Sequence, residues 1–83
     1  MRGTVIEVKV TNVEQKQICC LFEFGKNEFV SIGLITGVTL VEGDVLSNEG
    51  GKWSVNGVGL KLPGGLPSLK NYAEAKAEFD EFR

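Results

Sequence analysis

Gln17-Ile18-Cys19-Cys20-Leu21-Phe22-Glu23-Phe24, then Gly25-Lys26-Asn27, then Glu28-Phe29-Val30-Ser31-Ile32-Gly33-Leu34 is the stretch on which the fold turns. Side chains of a strand point alternately to the two faces of a sheet. In the first run Ile18, Cys20, Phe22 and Phe24 therefore share one face, and Gln17, Cys19, Leu21 and Glu23 the other. In the second, Val30, Ile32 and Leu34 oppose Phe29, Ser31 and Gly33. The three residues between the runs include Gly and Asn, which tolerate positive φ in a tight connection. The pattern predicts a β-hairpin.

Upstream, Thr4–Val13 alternates Ile6, Val8 and Val10 against Glu7, Lys9 and Thr11, and Asn12–Lys16 reads as a turn. Three consecutive antiparallel strands then form a meander. Downstream, the signals are shorter. Gly37–Glu42 is an irregular bridge with room for a short strand at Val38–Leu40, and Glu42-Gly43-Asp44 turns into Val45-Leu46-Ser47. Asn48-Glu49-Gly50-Gly51 is a hairpin signal leading into Lys52–Asn56, where Trp53 and Val55 share a face.

All eleven glycines lie at or before Gly65, and Gly59–Pro67 is a Gly/Pro-rich connector. Beyond it, Ser68–Arg83 contains neither Gly nor Pro and predicts a helix with Ser68 as N-cap. Leu69, Tyr72, Ala73, Ala75, Phe79 and Phe82 fall on one side of that helix, interrupted by Lys76 and Asp80. The expected fold is mainly β (α+β): a small antiparallel barrel or curved sheet of five to six strands with one C-terminal amphipathic helix. An SH3-like arrangement is expected over an OB-like one. An OB barrel wants a helix between its third and fourth strands, and Ile35–Val41 is too short and too β-branched to supply it. The chain reads as a single domain, with a β part over 1–58, the connector over 59–67 and the helix over 68–83.

At 83 residues there is room for one core. Hydrophobic residues at 42% and charged residues at 24% match a globular chain. The absence of histidine removes the commonest general base and the commonest metal ligand. Cys19 and Cys20, being adjacent, point to opposite faces of a strand and cannot share a metal site, so both read as structural thiols in a reducing compartment. Gly57-Val58-Gly59 has Leu62 where a dinucleotide fingerprint needs its third glycine, and no G-K-[ST] triplet occurs. Glu42 and Asp44 flank a turn glycine, and Asp44 reads as a turn residue bonding nearby backbone. These observations predict a non-enzymatic protein without metal or cofactor. The longest uncharged run, Phe29–Val41, holds thirteen residues including two glycines, too few for a membrane helix. Met1-Arg2-Gly3-Thr4 leads directly into the strand pattern, so no signal peptide, no membrane association and a cytoplasmic location are expected.

Val5, Cys19, Leu21 and Phe29 form a second apolar set opposite the main face. A sheet buried on one side should be polar there. Something must cover it, either the C-terminal helix or another chain. The expected function is therefore a protein-interaction module, joining another protein or a second copy as a homodimer or hetero-complex. Its candidate contact residues are Val5, Leu21, Phe29, Tyr72, Phe79 and Phe82. The alternative is nucleic-acid binding through Lys26, Phe29, Lys52 and Trp53, with aromatic rings interleaved with cations. A net charge of −2 and the even spread of Lys and Arg along the chain weigh against it.

Overall fold

The computed structural model describes residues 2–35, 39–60, 62 and 67–82, with the side chain of Ile35 left aside. Six strands and one helix follow in order: β1 (Arg2–Asn12), β2 (Gln17–Gly25), β3 (Glu28–Ile35), β4 (Val45–Glu49), β5 (Lys52–Val55), β6 (Val58–Leu60) and α1 (Tyr72–Glu81). All six strands belong to one antiparallel sheet of order β3-β2-β1-β4-β5-β6. The β1–β2–β3 meander expected from the alternation is present. β4 returns to the far side of β1, so β4-β1-β2-β3 is a Greek key.

Of the two expected forms, curved sheet or barrel, the chain adopts the curved sheet. Among the described residues β3 and β6 do not pair, and the sheet stays open. Val30 of β3 and Val55 of β5 nevertheless lie in one buried cluster with Val5, Cys20, Phe22, Ile32, Leu34, Leu40 and Leu46. Three strands separate β3 from β5, a distance of about 19 Å in a flat sheet. Only strong curling brings their side chains together around one core.

Part of the bending is written into β1. Its register against β2 runs Val5↔Phe22 and then Glu7↔Leu21, leaving Ile6 as an extra, unpaired residue. This bulge reverses the facing of the first residues of the strand. Val5 joins the main core beside Phe22, and Ile6 packs toward the opposite face. The expected assignment of Val5 to the second apolar set is thus corrected, because strict alternation does not survive the inserted residue. Val8 and Val10 pair with Cys20 and Ile18 on the main face, as the pattern required.

The β4–β5 hairpin closes through Gly50 and Gly51, both left-handed at φ 59° and 80°, where a side chain would be strained. Val38 lies outside the described residues; Thr39 and Leu40 are not in a strand, and Leu40 is buried in the main core. β6 occupies Val58–Leu60, where the connector was expected to begin.

The helix is capped three residues later than expected. Lys70 is held extended by two backbone bonds of 2.7 Å, its N–H to Phe29 O and its carbonyl from Phe29 N–H. A residue locked onto the edge of β3 cannot enter a helical turn. Asn71, rather than Ser68, therefore caps α1, its side-chain oxygen accepting from Glu74 N–H at 2.9 Å. Leu69, placed on the helix by its periodicity, lies in the extended stretch and packs against the main core.

Candidate interaction site

The second apolar face is built by the middle of β2 and the start of β3. Cys19, Leu21 and Phe29 are buried there, together with Ala75 and Phe79 of α1, while Ile6 and Phe82 pack partly against them. The helix of the same chain therefore covers this face. Phe79 sits among Cys19, Leu21 and Phe29. At the C-terminal end, Phe82 lies over Gly33, with its ring 2.8 Å from the point a β-carbon would occupy. Tyr72 meets Phe29 edge-on at 5.4 Å and remains 45% exposed.

Charges frame the contact. Lys76 Nζ donates to Glu7 Oε2 at 2.6 Å and lies 3.1 Å from Asp80. Those carboxylates, Glu7 foremost, hold the Lys76 ammonium above the usual lysine range. Lys9 and Lys76 both stand over the Phe79 ring, at 4.8 and 5.0 Å from its centroid. Lys70, in the extended stretch before the helix, pairs with Glu78 of α1. Five of the six expected contact residues, Leu21, Phe29, Tyr72, Phe79 and Phe82, thus meet at this internal contact between helix and sheet. Val5 stands apart in the main core.

The residues of the nucleic-acid alternative divide differently. Lys26 is exposed in the β2–β3 turn, and Lys52 is exposed where β5 begins. The strand register places both at the same end of the sheet as Arg2. Trp53 is half-buried and meets Phe24 edge-on at 6.5 Å, and Phe29 lies beneath α1. A groove of about 500 Å³ at this end is lined by Arg2, Thr4, Glu23, Phe24, Gly25 and Lys26. Neither Arg2 nor Lys26 forms an ion pair among the described residues.

Reactive groups are sparse. Cys19 and Cys20 are free thiols, both fully buried, one in each core as the alternation required. Burial pushes each up to about 12, so at neutral pH both are protonated and poorly nucleophilic. Asp44 behaves as a turn residue: it accepts from Val41 N–H at 2.9 Å and from the Asn56 amide at 3.1 Å, and these bonds lower its pKa. No group of three acidic or thiol side chains suited to a metal occurs among the described residues. No helix among them is long and apolar enough to cross a membrane.

One surface escaped the sequence reading. β1 has eleven residues, yet β4 pairs only with Arg2, Gly3 and Thr4. Val5 bonds on that side to Gly43 and Asp44. From Ile6 to Asn12, β1 has no backbone partner on this edge among the described residues. Val10 is 62% exposed on this strand, and Val13 is 81% exposed in the turn that follows it. Bulges at Val5/Glu7 and Val10/Asn12 bracket a regular run of four residues, Glu7 to Val10. The sequence holds one signal of this edge, a first strand about twice as long as the fourth. Comparison with known protein families, with characterised sequences and with solved structures gives no match to this chain.

Proposed function

We propose that this chain is a non-enzymatic interaction module that binds an extended segment of protein by adding it as a strand to the open edge of β1. The observation that carries this reading is the run from Ile6 to Asn12, which has no backbone partner on its outer edge among the described residues, beside exposed Val10. Backbone N–H and C=O groups along a sheet edge supply affinity to any extended chain, and alternate side chains supply selectivity. The flanking bulges limit the ladder to a few residues, which protects the edge from indiscriminate pairing. The helix face, first in line on sequence grounds, is occupied by α1. Two buried free thiols fit a reducing compartment, so we assign the module to the cytoplasm.

A second reading, nucleic-acid binding, draws on the Greek-key order, which matches OB-type barrels better than the SH3-like arrangement expected from the short β3–β4 connection. The cations Arg2, Lys26 and Lys52 at one end of the sheet add to it. Against it, α1 covers the β2–β3 face on which OB barrels bind oligonucleotides.

A capped peptide copying Ile6–Thr11, titrated into the isotope-labelled chain, tests the first reading by residue-resolved NMR. Shifts centred on Glu7–Thr11 are expected. No shifts on β1, or shifts centred on α1, would overturn strand addition. A short oligonucleotide is the counter-probe: salt-sensitive binding with shifts at Lys26 and Lys52 would establish the second reading instead.

A further inference from the structure

We propose that the strand taken up by β1 is β1 of a second copy, paired antiparallel about a two-fold axis at Val8; this rests on the strand-addition reading above. The argument is charge complementarity within the regular part of the edge that is open among the described residues. Between the two bulges the residues are Glu7, Val8, Lys9 and Val10. An antiparallel pair centred on Val8 sets Glu7 opposite Lys9 of the second copy, Val8 opposite Val8, and Lys9 opposite Glu7. Every directly opposed pair is then favourable, and the interface is self-complementary, as a two-fold contact must be.

The surroundings suit this register. Glu7 and Lys9 lie on the helix side of β1, pairing with Leu21 and Cys19. Lys9 has no carboxylate partner among the described residues, only the Phe79 ring. Glu7 holds Lys76 with one oxygen and keeps the other. On the main-face side, Val8 and the exposed Val10 extend the apolar row of Ile18 and Cys20 toward the second copy. The ladder stops at Ile6, where the bulge intervenes and the Gly43–Asp44 turn takes over the edge at Val5. A ladder this short gives a weak dimer that forms with rising concentration.

Light scattering coupled to size exclusion, run over a concentration series, reads the assembly. The unaltered chain is expected to shift from monomer to dimer. Glu7→Lys and Lys9→Glu each place like charges opposite one another twice in the ladder, and each should weaken the dimer roughly tenfold or more. Mixed in equal amounts, the two variants set a pair of lysines on one chain against a pair of glutamates on the other, and the mixture should recover dimer. Circular dichroism verifies that α1 remains formed in each, because both positions also meet the helix. Lys9→Gln, which removes only the charge, replaces a variant that fails this check and should weaken the dimer a few-fold. A chain that remains monomeric at its highest attainable concentration overturns the dimer. Shifts on β1 induced by the Ile6–Thr11 peptide would then still uphold strand addition itself. A dimer unaffected by either charge reversal, or a mixture no stronger than the single variants, overturns this register.

Discussion

Cys19 and Cys20 are neighbours in sequence and belong to different cores. Cys20 lies in the larger one, where residues of β1 to β5 curl around Phe22, Leu46 and Val55. Cys19 lies in the smaller one, closed by Ala75 and Phe79 of a single ten-residue helix. The first core is distributed over the whole sheet, so it fails only when the fold fails. The second depends on one short element that would be marginal alone and gains its stability from docking. The difference teaches that this domain seals its second apolar face from within, and what stays without a partner among the described residues is a strand edge rather than a greasy face.

The sharpest way to break the comparison is to truncate one aromatic in each core. Phe22→Ala removes a fully buried ring from the main core and should cost about 3–5 kcal/mol, enough to unfold much of a domain this small. Chemical denaturation followed by tryptophan fluorescence measures it. Phe79→Ala should cost about 2–3 kcal/mol, because lysine stems share the cover of that ring, and should release α1 before the sheet melts. Thiol labelling distinguishes the two outcomes residue by residue. In Phe79→Ala, Cys19 should react quickly while Cys20 stays protected; equal rates at both would mean the cores are not separable.

Alkaline pH probes both cores at once. Each thiol rises from about 9 in the unfolded chain to about 12 in the folded one. A raised acid favours the fold below the lower value, and that contribution is lost as pH climbs from 9 toward 12. Denaturation midpoints should therefore decline over this window, and less so in Cys19→Ala and Cys20→Ala. The smallest effect concerns Ser31, paired with Leu21 and buried with its hydroxyl lacking a hydrogen-bond partner among the described residues. Ser31→Ala removes that cost and should leave stability unchanged or raise it by up to about 1 kcal/mol.

Much of the sheet was legible because alternation is a strong signal when one face is buried. Ile18, Cys20, Phe22, Val30, Ile32 and Leu34 all lie on the main face expected of them. Alternation fails where an extra residue enters a strand, and nothing in Val5-Ile6-Glu7 announces the bulge that exchanges Val5 with Ile6. The late start of the helix was hidden for a similar reason. Ser68 and Leu69 suit a helix locally, but backbone bonds between Lys70 and Phe29, forty-one positions apart in sequence, hold the segment extended. The second apolar face is visible in the sequence, which leaves α1 and another chain as its two possible covers. Only packing could decide that. The open edge of β1 is a property of which strand lies beside it and for how far, and no pattern within Thr4–Val13 encodes it.

Residue-resolved amide exchange on the dilute chain tests the central claim most directly, because it reads the covered face and the open edge together. Leu21 and Phe22 amides should both exchange slowly, since β2 is paired on each side and covered on both faces. Every second amide from Glu7 to Val10 should exchange fast, having no partner on the outer edge among the described residues. Uniform protection of Glu7–Val10 at the level of Leu21 and Phe22 would show the edge to be closed and would contradict the account.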